Sequence, residues 1–109
     1  MREQSYLVLL ALAEGPLHGY GVIKAVQELS AGRVRLGAGT LYSALDRLAG
    51  EGLAVVTGEE MVGGRHRRYY ELTGQGQYVL AEETERLTQL AHTAQDRLAR
   101  LRLAHQWGV

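Results

Sequence analysis

The last third of the sequence is predicted to form one long helix, capped by Thr73, that runs from about Gly74 to Leu103 without a proline. At 1.5 Å per residue it spans about 45 Å, more than the width of a small domain. Apolar and small residues recur along it at alternating spacings of four and three, the pattern of a heptad seam. The seam consists of Leu80, Thr84, Leu87, Ala91, Ala94, Leu98 and Leu101. The first helix of the chain could cover part of the seam, but its length favours a two-fold homodimer.

The composition limits the classes of protein to which the chain can belong. The 109 residues are enough for one domain with a core and few for two. Twelve basic and twelve acidic side chains leave no net charge, so any binding of nucleic acid depends on a local basic patch. The absence of cysteine excludes a disulfide scaffold and a cysteine zinc finger, and it fits a cytoplasmic protein. No apolar run reaches the ~20 residues that a membrane-spanning helix needs, so no membrane partner is expected.

Residues 4–14 are predicted to form a first helix, apolar on most sides, that Gly15 and Pro16 terminate. A helix of this kind is buried between other elements. The run also resembles a short secretory signal because Arg2 precedes it. However, Glu3 interrupts the basic leader and the apolar run is at the short limit, so the buried helix is the preferred interpretation.

A second helix is predicted to open at residues 18–20 and to end near Gly32. His18 lies at the start of this helix, where we expect it to cap the amino end. A lone histidine is more often structural than catalytic, so this role is preferred to a catalytic one. Residues 34–36 are predicted as a short extended segment, and a third helix is predicted to start at Gly37. The connection between the second and third helices is then several residues long.

The third helix, over residues 39–48, has two faces of different character. One face carries Leu41, Leu45 and Leu48, and the opposite face carries Thr40, Ser43 and Arg47. The outer face is narrow and polar, so the helix can lie in a groove, and the DNA major groove is one candidate. Arg47 is its only long side chain, which predicts sparse base readout supplemented by DNA shape. Tyr42 lies at the boundary, where it either reaches a phosphate or packs at the core edge.

After the third helix the period changes from helical to extended. Residues 53–57 are a short run rich in β-branched side chains and residues 67–72 alternate, so both are predicted strands. Residues 58–66 are predicted to form the loop between them, with Gly63 and Gly64 at its tip. Three helices followed by two strands describe a winged helix. The predicted fold is mainly α with a small β-wing: a winged helix-turn-helix domain followed by one long C-terminal dimerisation helix.

The base of the predicted wing carries the densest charge cluster, residues 64–70, with three arginines, a histidine and two tyrosines. Arginines in such a place can bind phosphates or enter the minor groove. Alternatively, the cluster is a solvated strand end whose arginines pair with Glu59, Glu60 and Glu71. Its position beside a recognition-type helix favours DNA contact.

Motifs for catalysis or metal binding are missing from the sequence. It has no cysteine nucleophile, Gly-x-Ser-x-Gly elbow, Walker loop or His-Glu-x-x-His pair. The four histidines are scattered, and His92 and His105 would lie about 20 Å apart along one helix, too far to share a metal ion within one chain. We therefore expect no enzyme activity, no cofactor and no metal site within one chain. A metal site that bridges two chains is the alternative.

Three motifs resemble the PadR family of bacterial transcriptional regulators: LHGYGVIKAV at 17–26, GTLYSALDRLAGEGL at 39–53 and GRHRRYYELTGQG at 64–76. They occur in the family's order and spacing. The brief C-terminal part resembles the smaller subfamily, in which one long terminal helix forms the dimer. The resemblance implies a winged-helix repressor that binds palindromic operator DNA as a homodimer and is often released by a small molecule.

The resemblance also implies DNA-contacting residues. Carried over by position, the third-helix motif implies contacts by Thr40, Leu41 and Tyr42, and the wing motif implies contacts by Gly64, Arg65, Arg67 and Arg68. The outer helix face adds Ser43 and Arg47. The chain departs from the family where Gly37 and Ala38 replace a common Ser-Pro and where Ser43 replaces proline, which weakens the helix start.

The C-terminal helix carries the remaining predictions. Its predicted dimer interface comprises Leu80, Leu87, Ala91, Ala94, Leu98 and Leu101. The resemblance implies that flat aromatic or cationic molecules can bind between dimer helices, so Trp107 is either a ligand-binding residue or a terminal residue packed on the partner subunit. We divide the chain into a DNA-binding domain at 1–73 and a dimerisation helix at 74–109. The alternative function is a protein-interaction module that uses the winged-helix fold without DNA.

Overall fold

The computed structural model describes residues 1–106, which form four helices and one three-stranded sheet. In chain order the elements are α1 (Glu3–Ala11), β1 (Leu17–His18), α2 (Gly19–Leu29), α3 (Ala38–Gly50), β2 (Ala54–Val62), β3 (Arg65–Leu72) and α4 (Gly74–Gln106). A 3-10 turn at Leu12–Glu14 follows α1. The predicted fold class is confirmed. None of the described helices is long and apolar enough to cross a membrane.

Helices α1, α2 and α3 pack around one apolar core. Val8 and Leu9 of α1 are fully enclosed although they are neighbours in sequence, which confirms that this helix is buried on several sides. In α3 the buried leucines are those of the predicted inner face, Leu41, Leu45 and Leu48. Each fully buried leucine stabilises the fold by about 1.5–3 kcal/mol relative to an exposed one. This inner face fixes the rotation of α3 and directs its opposite face to solvent.

Strands β2 and β3 form a long ribbon that a two-residue turn closes. Gly63 and Gly64 both have positive φ, 56° and 78°, as a type I′ turn requires. The loop predicted over residues 58–66 is wrong, because both strands continue to the turn and Val62 pairs with Arg65. Cross-strand pairs of opposite charge stabilise this polar ribbon, although most of its side chains are exposed.

The third strand, β1, lies at the edge of the sheet in the order β1-β3-β2. Its two residues pair antiparallel with β3, Leu17 opposite Tyr70 and His18 opposite Tyr69. Because α2 starts directly after β1, this short pairing holds the amino end of α2 against the base of the wing.

The connection between α2 and α3 is irregular. Residues 34–36 lie within the described range and form no strand, so the short extended segment predicted there does not join the sheet. A side chain of α2's cap organises the connection instead: the Oγ of Ser30 accepts a hydrogen bond from the N–H of Val34 at 2.9 Å. Such local side-chain bonds replace ladder pairing in loops.

A tight joint connects α4 to the domain. The hydroxyl oxygen of Thr73 accepts a hydrogen bond from the N–H of Gly76 at 2.9 Å and donates to the carbonyl of Gly52 at 2.6 Å, which confirms its predicted capping role. A Cβ atom on Gly76 would collide with the carbonyl oxygen of Leu53, so only glycine fits at this position. Leu80, the first residue of the predicted seam, packs against the domain core. The first two turns of α4 are therefore fixed to the domain.

Beyond these turns α4 leaves the domain. The hydroxyl of Tyr6 on α1 lies 2.7 Å from Oγ1 of Thr84. From Thr84 to Leu103 every residue is exposed. The seam leucines of this segment include Leu98, 51% exposed, and Leu101, 57% exposed. The molecule measures 67 × 27 × 20 Å because this helix projects so far.

Candidate nucleic-acid interface

The outer face of α3 presents three of the predicted DNA-contacting residues to solvent, Thr40, Tyr42 and Ser43. Leu41 differs, because its side chain is 0% exposed and packs in the core with Leu45. The DNA contact that the family motif implies for Leu41 stays a prediction, and it would have to use the backbone because the side chain is enclosed. Helical periodicity alone predicts the inward position of Leu41 correctly.

The amino end of α3 is open. Gly37 occupies the N-cap position with extended backbone, and none of the described side chains caps this helix. A Cβ atom on Gly37 or Gly39 would meet no described atom within 4 Å. The first intrahelical hydrogen bond runs from the N–H of Leu41 to the carbonyl of Gly37 at 3.0 Å, so the N–H groups of residues 38–40 precede the helical ladder. Another molecule with acceptor groups can approach this end closely.

Arg47 is engaged by α1. Its Nη2 donates a hydrogen bond of 2.6 Å to the Oγ of Ser5, a residue that is only 6% exposed. Arg47 is exposed on the outer face, as predicted, but its guanidinium also links α3 to α1 in the unbound protein. A DNA contact by Arg47 stays a prediction, and it would have to replace or share this bond.

Tyr42 lies across the start of α2. A Cβ atom on Gly19 would be 2.8 Å from Cζ of Tyr42 and would also collide with the hydroxyl oxygen, so only glycine permits this contact. The arrangement holds the phenol hydroxyl beside the amino end of α2, where the helix dipole favours negatively charged groups. The Tyr42 side chain remains 46% exposed. Of the two interpretations of Tyr42, this position favours the phosphate contact.

Replacing Gly19 by alanine is expected to displace the Tyr42 ring and to weaken DNA binding threefold to tenfold, the value of about one ordinary hydrogen bond. Helicity should be retained, because alanine favours helix and the ring can swing outward. Fluorescence anisotropy with a labelled duplex measures the effect. Gly21→Ala is the matched control, since its Cβ would meet Leu17 at an ordinary 3.4 Å. If Gly19→Ala still weakens binding in a Tyr42→Ala background, Tyr42 is not the cause.

His18 caps α2, as predicted: its Nδ1 accepts a hydrogen bond from the N–H of Gly21 at 3.3 Å. Its ring stacks with that of Tyr20 at 6.4 Å and meets Tyr69 of β3 edge-on at 5.5 Å. Because Nδ1 accepts in this arrangement, Nε2 carries the proton of the neutral ring and is left as a donor. His18 therefore joins the start of α2 to the wing.

These groups surround one cleft of about 380 Å³ between α2 and the wing. Its walls are residues 18–20, Tyr42 and residues 65–68, and we name it the wing cleft. The structure thus brings Tyr42 together with the three wing arginines that belong to a separate sequence motif. Sequence reasoning misses residues 18–20 as site residues. The available signal is a tyrosine close to a histidine at a helix start, where the histidine is predicted only as a cap.

The wing arginines do not share one face. Side chains alternate along a strand, so Arg65 and Arg67 lie on one face of the ribbon, and His66 and Arg68 lie on the other. Gly64 lies in the turn between β2 and β3, and its positive φ is the one that this tight turn requires. The basic cluster therefore can contact a ligand from two sides of the ribbon.

Two carboxylates of β2 face this basic run. Glu59 lies opposite Arg68 in the register, and its oxygens are 3.2 Å from Nε2 of His66 and 3.5 Å from Nε of Arg68. Glu60 accepts a hydrogen bond of 2.5 Å from the hydroxyl of Tyr69, which raises the pKa of Tyr69 above its ordinary value. The alternative prediction, in which wing arginines pair with carboxylates, is therefore confirmed for Arg68.

The remaining predicted residues lie on α4, away from the wing cleft. Leu87, Ala91, Ala94, Leu98 and Leu101 are exposed, as an unpartnered seam would be, and Leu80 is partly covered by its own domain. Trp107 lies outside the described residues. The part of α4 that projects presents the larger share of the predicted dimer interface.

Comparison with known proteins adds the family. A family model described as "Transcriptional regulator PadR-like family" matches residues 8–82. The chain is 38% identical over 84 residues to the transcriptional regulator Rv3488 of Mycobacterium tuberculosis, which covers 77% of this chain and 75% of that protein. It is 41% identical over 89 residues to an uncharacterized 37.1 kDa protein in transposon TN4556 of Streptomyces fradiae, where it covers 82% of this chain but spans only 24% of the relative.

The fold is also found in a solved complex. Bacillus subtilis PadR, solved in complex with operator DNA, matches with a TM-score of 0.67 and 24% identity over 76% of this chain and 47% of that chain. At this level of identity the likeness concerns the fold. The winged-helix architecture seen here is thus one that is compatible with operator binding in that protein.

Proposed function

The chain belongs to the PadR-like family of transcriptional regulators, and we propose that it binds double-stranded DNA as a homodimer and represses transcription at a palindromic operator. The family is one of regulators and not of enzymes. The proposal includes action in the cytoplasm and release of DNA on binding a small molecule between the dimer helices.

The wing cleft is the observation that carries the DNA-binding proposal. The phenol of Tyr42, the amino end of α2 and the side chains of residues 65–68, three of them arginines, line this one cleft. Helix α3, which carries Tyr42, begins with an uncapped amino end at Gly37. Helix N-termini and arginines are the groups that bind phosphates, and they set the register of a protein on the duplex. With phosphates held there, α3 would enter the major groove by its amino end.

Base readout by α3 is expected to be sparse. Thr40 and Ser43 are short side chains that reach base edges only at close approach, which the open glycines at the helix start permit. Arg47 is held by α1 in the unbound protein. Sequence preference would therefore depend on DNA shape and on phosphate positioning as much as on direct contacts.

The exposed leucines of α4 support the homodimer. A helix of 33 residues whose projecting part exposes Leu98 and Leu101 leaves apolar area in water that a second copy can cover. We propose that residues 1–73 form the DNA-binding unit and that residues 74–109 form the dimerisation helix. Two such units related by a two-fold axis match a palindromic operator.

A labelled duplex from the promoter of the protein's own gene tests the function. We expect a retarded band in a gel shift, resistant to random competitor DNA, with a specific Kd of about 10⁻⁸–10⁻¹¹ M at physiological salt. The log of the affinity should fall linearly with the log of the salt concentration. A protein that shifts neither this nor any other duplex at low salt would contradict the proposal and favour the protein-interaction module.

A further inference from the structure

The wing has no net charge. Residues 54–72 contain three arginines and three glutamates. An element that contacts DNA phosphates is normally basic, because sequence-independent affinity comes from neutralised phosphates. The acidic residues are not remote from the basic ones, so their placement on the ribbon requires an explanation.

Glu59 occupies the central position among these charges. It sits directly across the ladder from Arg68, and one carboxylate contacts both the Arg68 guanidinium (3.5 Å) and the His66 ring (3.2 Å). Both basic side chains line the wing cleft. The carboxylate and its two partners are each about half exposed, so they can be reached from solvent.

We propose that Glu59 is an internal counter-charge that competes with DNA phosphate for Arg68 and His66 and thereby limits sequence-independent affinity. This inference rests on the proposed DNA binding. In the free protein the carboxylate occupies the donors that a phosphate oxygen would take. In the complex Arg68 moves to phosphate, and Glu59 is left beside the DNA backbone as a repelling charge.

The exposure of the pair makes this exchange feasible. Surface ion pairs are weak because water screens them and because two long side chains lose freedom, so Arg68 can leave Glu59 readily. A phosphate offers a stronger, charge-assisted acceptor. In the complex the repulsion between the Glu59 carboxylate and the phosphates remains. This repulsion acts on every DNA sequence alike and is screened by salt.

Glu59→Gln tests the inference, because it removes the charge and keeps the size of the side chain. A labelled duplex of random sequence is the probe, titrated by anisotropy from low to moderate salt. We expect Glu59→Gln to bind about threefold to tenfold tighter at low salt. The slope of log affinity against log salt should become steeper by up to about 0.9, the value of one added phosphate contact.

Three controls separate charge from structure. Glu59→Asp, which keeps the charge, should bind like the wild type, and so should Glu28→Gln, which removes an exposed charge on α2 outside the wing cleft. In an Arg68→Ala background the gain from Glu59→Gln should shrink, because the part that comes from competition for Arg68 is lost, and the part that comes from repulsion of phosphates should remain. Unchanged or weaker binding by Glu59→Gln overturns the inference and makes Glu59 a residue that positions Arg68. A wild type that binds no duplex at all contradicts the proposed function instead.

Discussion

Replacing Arg65, Arg67 and Arg68 together by alanine is expected to weaken binding to every DNA duplex by several hundred-fold at ~0.1 M salt. Each phosphate that a protein neutralises adds about 0.9 to the slope of log affinity against log salt. Three lost contacts therefore lower the slope by about 2.7, which corresponds to the stated loss at 0.1 M salt relative to 1 M salt. The loss should be equal for operator and random DNA, because phosphates carry no sequence information.

Anisotropy titrations at four or more salt concentrations measure this slope. The matched control is the triple replacement of Arg97, Arg100 and Arg102, which removes the same charge from the exposed distal part of α4. An unchanged slope for the wing variant would remove the wing from the mechanism. Single replacements can then separate the two faces of the ribbon, since Arg68 is the arginine that faces Glu59.

Replacing Leu98 and Leu101 together by glutamate is expected to dissociate the dimer. Fully burying a leucine contributes about 1.5–3 kcal/mol. Leu98 and Leu101 are already about half covered in the single chain, so each gains about half of this in a dimer, and the two-fold axis counts each replacement twice. At least about 3 kcal/mol is therefore lost before charge repulsion is added, which raises the dimer dissociation constant by about a hundredfold or more. Operator binding should fall with it, because a monomer engages only one half-site.

Sedimentation velocity at micromolar concentration distinguishes dimer from monomer. Leu103→Glu is the control, because Leu103 is an exposed leucine of the same helix that does not belong to the predicted seam. Circular dichroism checks that α4 stays helical in both variants. A dimer that survives the double replacement, or a wild type that is monomeric at this concentration, would sink the seam prediction.

The features that the sequence predicts well are local. The caps at His18 and Thr73 follow from a side chain and an N–H group two or three residues later. The inner face of α3 and the long α4 follow from helical periods that repeat many times. Such signals need no knowledge of the rest of the fold.

The features that sequence reasoning misses depend on distant residues. Two residues are too few to show a strand period, so β1 becomes a strand only through its pairing with β3. The bond between Arg47 and Ser5 joins residues far apart in the chain, and so does the contact of Tyr42 with Gly19. Both contacts depend on how α3 lies against α1 and α2.

The length of the wing strands illustrates a different difficulty. Their outer halves are charged and exposed on both faces, so a rule based on alternating burial interprets residues 58–66 as a loop. The twin glycines at the tip were the better indicator, because two consecutive residues with positive φ are typical of a tight hairpin turn. Opposed charges across the ladder supply the pairing that burial does not.

The joint at Thr73 and Gly76 affects which spacing between operator half-sites a dimer could bind. Because a carbonyl oxygen packs against Gly76 and the Thr73 hydroxyl bridges to Gly52, the first turn of α4 has little freedom to pivot. Paired α4 helices would then hold the two recognition helices at a set distance and angle. Each inserted base pair turns one half-site by about 35° around the duplex. A dimer with this fixed geometry would bind weakly to operators with altered spacing even when both half-sites are intact.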